Sequence, residues 1–153
     1  MVLVLAGDIA CAKSLNAGTN SIRKNNHKLM GISDQEFERM VAKAIDALPD
    51  KYARLLSNVA VTYADEPTPA QRQKLKLRPW QDLYGLYEGV PQTVRGRALN
   101  MALPDKITIF KTPMLRSVAS AEELQAQVNK TLWHEVAHHF GLDHDQIDRL
   151  GGS

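Results

Sequence analysis

The chain has a single cysteine, Cys11, in 153 residues. One thiol excludes an intrachain disulfide and any metal site built from several thiolates. A reducing, cytoplasmic setting is therefore expected. Long apolar runs are also missing, and no segment approaches the roughly 18 residues that a membrane helix needs. The opening MVLVLAGDIAC is apolar, but no basic residue precedes it and Asp8 interrupts it early, so it lacks the marks of an export signal. Neither charge dominates. Nineteen Lys and Arg against seventeen Asp and Glu leave a formal +2, too little to argue for nucleic acid or an anionic membrane as partner. Internal repeats and low-complexity tracts are absent. What is there is a chain 44% hydrophobic and 24% charged, a balance that excludes wholesale disorder and suits one packed domain.

Residues 12–29 are polar, rich in Asn, Ser and Gly, and show no period of 2 or 3.6. Residues 1–32 are expected to form a flexible N-terminal extension and residues 33–153 the domain. Ser33 and Glu36 make an S-x-x-E capping box ahead of a helical stripe, Phe37, Met40, Val41, Ala44, Ile45 and Leu48, which Pro49 stops. A short helical turn is expected over Asp50–Leu56. Val59–Tyr63 reads as a strand with Val59, Val61 and Tyr63 on one face. Thr68-Pro69 should cap a helix reaching about Leu75. Leu83–Tyr87 and Lys106–Phe110 are further strands, the second bounded by Pro104-Asp105 and Pro113. Ser120 and Glu123 suggest a second capping box, starting a helix over Ala121–Phe140 that Gly141 ends in a left-handed turn. A last short helix is expected over Asp145–Leu150. Interspersed strands and helices give an α+β or α/β class with a sheet of three or four strands.

The chemistry concentrates in HEVAHHFGLDH, residues 134–144, which holds four of the five histidines. His134 and His138 are four residues apart, so a helix returns them to nearly the same face, with Cβ atoms roughly 5–6 Å apart. Two imidazoles so placed can share one zinc ion. Glu135, one step round, stands where a carboxylate can take a proton from a water on that ion. Gly141 lets the chain reverse, and His144 returns as a third ligand. Three nitrogens leave a fourth position open, the pattern of a catalytic zinc and not a structural one. One Zn2+ per chain is expected.

Neighbouring residues read more blandly. His139 points about 100° away from His138 and reads as packing or support. Asp143, Asp145 and Asp148 could orient a ligating imidazole or simply form a solvated acidic turn. Arg72, Lys74, Lys76 and Arg78 read as a solvated face. Trp80, Tyr84 and Tyr87 read as core, although either tyrosine could reach an oxyanion.

HEVAHHFGLDH fits the extended HExxHxxGxxH pattern. With MGISDQEFERMVAKAIDALP, NVAVTYADEPTP, LYGLYEGVP and LPDKITIFKTPMLR, it resembles successive blocks of the minimal zincin family of small bacterial proteins over about Met30 to Leu150. The resemblance implies a compact α+β domain with a short mixed sheet beside the long active-site helix. It also implies His134, His138 and His144 as ligands, Glu135 as general base, and a peptide or protein as substrate. Residues 145–153 hold no methionine, so the methionine turn of the larger metzincins is missing. A second resemblance, through HxxxHxxxxxH with GLDHD, is to the metal-dependent endoribonucleases that mature ribosomal RNA. Those have glycine where this chain has Glu135, and a near-neutral charge attracts RNA weakly, so nucleic acid is not the expected partner. A third alternative is a zinc-binding module without catalysis. For a peptidase, Lys106–Phe110 is the strand expected to offer a free edge to substrate.

Overall fold

A computed structural model of the chain describes residues 31–56, 58–89 and 105–142. The N-terminal extension and the expected helix over Asp145–Leu150 lie outside these residues, apart from Gly31 and Ile32.

Local signals in the sequence explain most of the elements. Helix α1, Asp34–Asp46, starts at a complete capping box, in which the Glu36 N–H donates to Ser33 Oγ and the Ser33 N–H to Glu36 Oε2. Its Phe37, Val41 and Ala44 face the core. Ile32, just ahead of the cap, packs against that core as well. After Pro49 come α2, Asp50–Ala53, and a 3₁₀ turn, Arg54–Leu56. Strand β1, Val59–Ala64, exposes Ala60 and Thr62 and turns Val59, Val61 and Tyr63 towards the core. Helix α3, Pro69–Lys74, is capped reciprocally by Thr68 and Gln71, with Pro69 at its first position.

Strands β2, Gly85–Glu88, and β3, Asp105–Phe110, complete a mixed sheet of order β1-β3-β2, parallel between β1 and β3 and antiparallel between β2 and β3. The second strand starts two residues later than its sequence suggests. The expectation that Lys106–Phe110 offers a free edge is wrong, because β1 and β2 cover both of its sides. The physical reason is legible afterwards. Ile107, Thr108, Ile109 and Phe110 are all buried, and a strand buried on both faces shows a continuous apolar run where an edge strand would alternate.

Pro113, expected to stop the chain after β3, instead lies in the first turn of α4, Lys111–Ser117, where its missing N–H has no partner to lose. The long helix α5, Ala121–His139, begins at Ser120, whose hydroxyl accepts from the Glu123 N–H. The box is not reciprocal, since the Glu123 carboxylate accepts from the Ala119 N–H instead. Gly141 ends the helix at φ 69°. Its N–H donates to the His138 carbonyl and the Leu142 N–H to the Ala137 carbonyl, the paired bonds of a Schellman turn. Leu124, Val128, Leu132 and Val136 are fully buried with Phe37, Ile107 and Ile109, each worth roughly 1.5–3 kcal/mol of apolar transfer. The fold is α+β, a small mixed sheet packed on one long helix. No helix among the described residues is long and apolar enough to cross a membrane.

Candidate metal centre

Helix α5 has a buried stripe of Leu124, Val128, Thr131, Leu132, Glu135, Val136 and His139, spaced by ones, threes and fours as a helical face requires. That register drives Glu135 and His139 inward. It leaves His134 and His138, each one residue earlier, half-buried. Their Nε2 atoms lie 3.0 Å apart, and the ring centroids 4.6 Å apart at 84°. A Zn–N bond is about 2.0–2.1 Å, so one ion can touch both nitrogens, and the pair fits a zinc ion. His144 lies outside the described residues, as do Asp143, Asp145 and Asp148. Among the described residues no three candidate ligands gather.

Glu135 is held against the edge strand. A Cβ built on Gly85 would lie 2.6 Å from Thr131 Cγ2 and 2.9 Å from Glu135 Cγ and Oε1, so only glycine lets α5 come this close to β2. The Phe110 N–H donates to the Tyr84 carbonyl. Alternation along the antiparallel ladder then turns the main-chain groups of Gly85 and Tyr87 away from β3, towards the outer edge. Burial pushes the Glu135 carboxyl up to about 8, and a hydrogen bond from the Tyr87 backbone pulls it the other way.

A second polar cluster supports this arrangement. His139 Nδ1 is 2.9 Å from Asp105 Oδ2, with their side chains 1% and 2% exposed. The Tyr87 hydroxyl donates to the same Oδ2 at 2.9 Å and lies 3.2 Å from His139 Nδ1. The cluster ties the last turn of α5 to the start of β3 and to β2. Gly89 packs on it so closely that a Cβ would strike the Asp105 carboxylate and the Tyr87 hydroxyl. His139 is thus packed in the interior, one of its two expected roles. Asp105 was read only as half of a turn. The signal for it was present in the long helix, where an imidazole on the buried stripe needs a buried polar partner. Of the aromatics expected in the core, Tyr84 is buried and Tyr87 half-buried, but Trp80 is largely exposed.

No curated protein matches the chain. Among solved structures it is similar to a conserved hypothetical protein from T. thermophilus, at 22% identity and a TM-score of 0.47, covering 78% of this chain and 98% of that one. The family model of zincin-like metallopeptidases matches residues 56–152, a span that holds the whole sheet, both converging histidines and Glu135, and the chain belongs to that family.

Proposed function

We propose that this protein is a zinc-dependent metallopeptidase, with His134, His138 and His144 holding one ion and Glu135 acting as general base. The observation that carries the reading is the convergence of the His134 and His138 Nε2 atoms, 3.0 Å apart, beside a buried carboxylate set against the edge strand. A site that only bound metal would have no use for that carboxylate. When bound, zinc supplies Lewis acidity, polarising a carbonyl and making a water more acidic.

The chain's own residues account for the remaining steps. An extended polypeptide can add to the outer edge of β2 as a further strand through the Gly85 main-chain groups, Tyr87 being engaged with Glu135. It then passes Glu135. That carboxylate takes a proton as water attacks the carbonyl carbon, then delivers it to the leaving nitrogen as the C–N bond breaks. A zinc ion on the neighbouring imidazoles would oppose the effect of burial and favour the charged carboxylate that accepts the proton. The Tyr87 backbone hydrogen bond orients the carboxylate.

Metal analysis of the purified protein, paired with cleavage of an unfolded polypeptide and of single-stranded RNA, tests the reading. The expected result is one zinc per chain and polypeptide cleavage that stops on chelation. Absence of zinc, or cleavage of RNA alone, would overturn it.

A further inference from the structure

The loop between α3 and β2 is braced more firmly than a connecting segment requires. Arg72 on α3 directs Nη2 onto the carbonyls of Arg78 at 3.0 Å, Pro79 at 3.4 Å and Gln81 at 3.1 Å. The Leu77 N–H donates to the Arg72 carbonyl, and the Arg78 N–H to Gln81 Oε1. Lys76 sits at φ 52°, a left-handed conformation that a lysine holds only where its surroundings fix it. Just past the loop, Arg116 grips Asp82 at 2.5 Å.

What this brace displays is Trp80. It is 57% exposed, the one exposed large hydrophobic among the described residues, with the Arg78 guanidinium 5.8 Å from its ring centroid. Lys74, Lys76 and Arg78 are exposed, and residues 67–81 contain no Asp or Glu. An exposed indole on a braced backbone, with a guanidinium by its ring, is chemistry suited to recognition, since a two-torsion aromatic side chain loses little entropy on contact.

Its position follows from the chain. Trp80 is five residues before Gly85, so their Cα atoms are at most about 17 Å apart, and Gly85 lies against Glu135. Gln71 on α3 also reaches Glu88 on β2 at 3.3 Å, which links the far end of the strand to the same unit. An extended polypeptide advances roughly 3.3 Å per residue, so one lying on the edge of β2 reaches this loop within about five residues of Glu135.

We propose that Trp80, Lys76 and Arg78 form a docking surface for acidic and apolar side chains of the substrate polypeptide, a few residues from the bond that is cut. The word substrate rests on the peptidase reading; the docking surface does not. A polypeptide fits better than a nucleic acid. Exposed cations here are few and the net charge is only +2, which suits one or two carboxylates better than a continuous line of phosphates.

The test uses the full chain carrying Glu135→Gln, so that binding is read without turnover. Fluorescence anisotropy would compare a labelled peptide of about a dozen residues of Glu, Asp, Leu and Phe with its Gln/Asn counterpart and with an oligouridylate of similar length. The acidic peptide should bind about tenfold more tightly than the neutral one at low salt, and less so as salt rises. That preference should vanish in Lys76→Glu/Arg78→Glu with the neutral peptide's affinity hardly moved, whereas Trp80→Ala should weaken both peptides several-fold. Equal binding of the two peptides, a preference intact in Lys76→Glu/Arg78→Glu, or affinities unchanged in Trp80→Ala, would overturn the proposal. Tighter binding of the oligouridylate, lost with Trp80→Ala, would overturn it in favour of a nucleic-acid surface. Failure of the parent protein to cleave polypeptide would end the peptidase reading and leave this result standing.

Discussion

Glu135→Gln gives two predictions of opposite direction, and both come from the burial of one carboxyl group. In the metal-free protein, burial raises the Glu135 carboxyl from 4.5 to about 8, so the folded state keeps a proton that the unfolded chain has released at pH 7. The stabilising effect of that proton is complete below about pH 4.5 and is lost as pH rises through 8. Relative to a neutral side chain of the same shape, the glutamate therefore costs the fold nothing at low pH and about 3 kcal/mol at pH 7, at 1.36 kcal/mol per unit. Metal-stripped Glu135→Gln should be the more stable protein at pH 7, with its urea midpoint roughly 1–3 M higher, and the gap should close towards pH 4.5. With zinc present the gap should shrink, because a nearby cation favours the charged carboxylate. The same variant should hold zinc like the parent and lose on the order of 10²–10⁴-fold in polypeptide cleavage. Chemical denaturation across pH 4.5–8 after chelation, beside a cleavage assay, reads both. Identical stabilities and pH slopes for the two proteins would refute the burial argument, and undiminished cleavage would refute the role as base.

The other predictions concern what surrounds that group. His134→Ala, His138→Ala and His144→Ala should each lower zinc content by native mass spectrometry, and full retention in all three would end the metal assignment. Gly85→Ala places a methyl 2.6 Å from Thr131 Cγ2; it should destabilise by about 1–3 kcal/mol and reduce cleavage, both read from denaturation and assay. Tyr87→Phe removes the hydroxyl that Asp105 accepts and should cost about 1–3 kcal/mol, with zinc retained. An unchanged melting temperature would mean that the Asp105–His139 pair needs no third member.

What the sequence discloses divides along the line between local and distant causes. Ser33 with Glu36, Thr68 with Pro69, and Gly141 fix helix ends through bonds to residues three to five positions away, so those ends are readable in a window of the chain. The spacing of His134 and His138 is local in the same sense, and their convergence follows once the helix forms. The misread features depend on partners far along the chain. Lys106–Phe110 looks like any short apolar strand until β1 and β2 are found on either side of it, and Asp105 looks like a turn residue until His139 arrives from α5. Trp80 looks like core because indoles usually are; the Arg72 bonds that hold its loop outward leave no periodic trace. Gly85 is the instructive case. In a strand pattern a glycine reads as weakness, yet here its missing side chain is the space that Glu135 occupies. The motif supplies a carboxylate beside two imidazoles, but what that carboxylate can do depends on being dry, oriented and close to the edge strand. The helix register makes it dry, and the other two properties come from Tyr87 and Gly85, on a strand the motif does not contain.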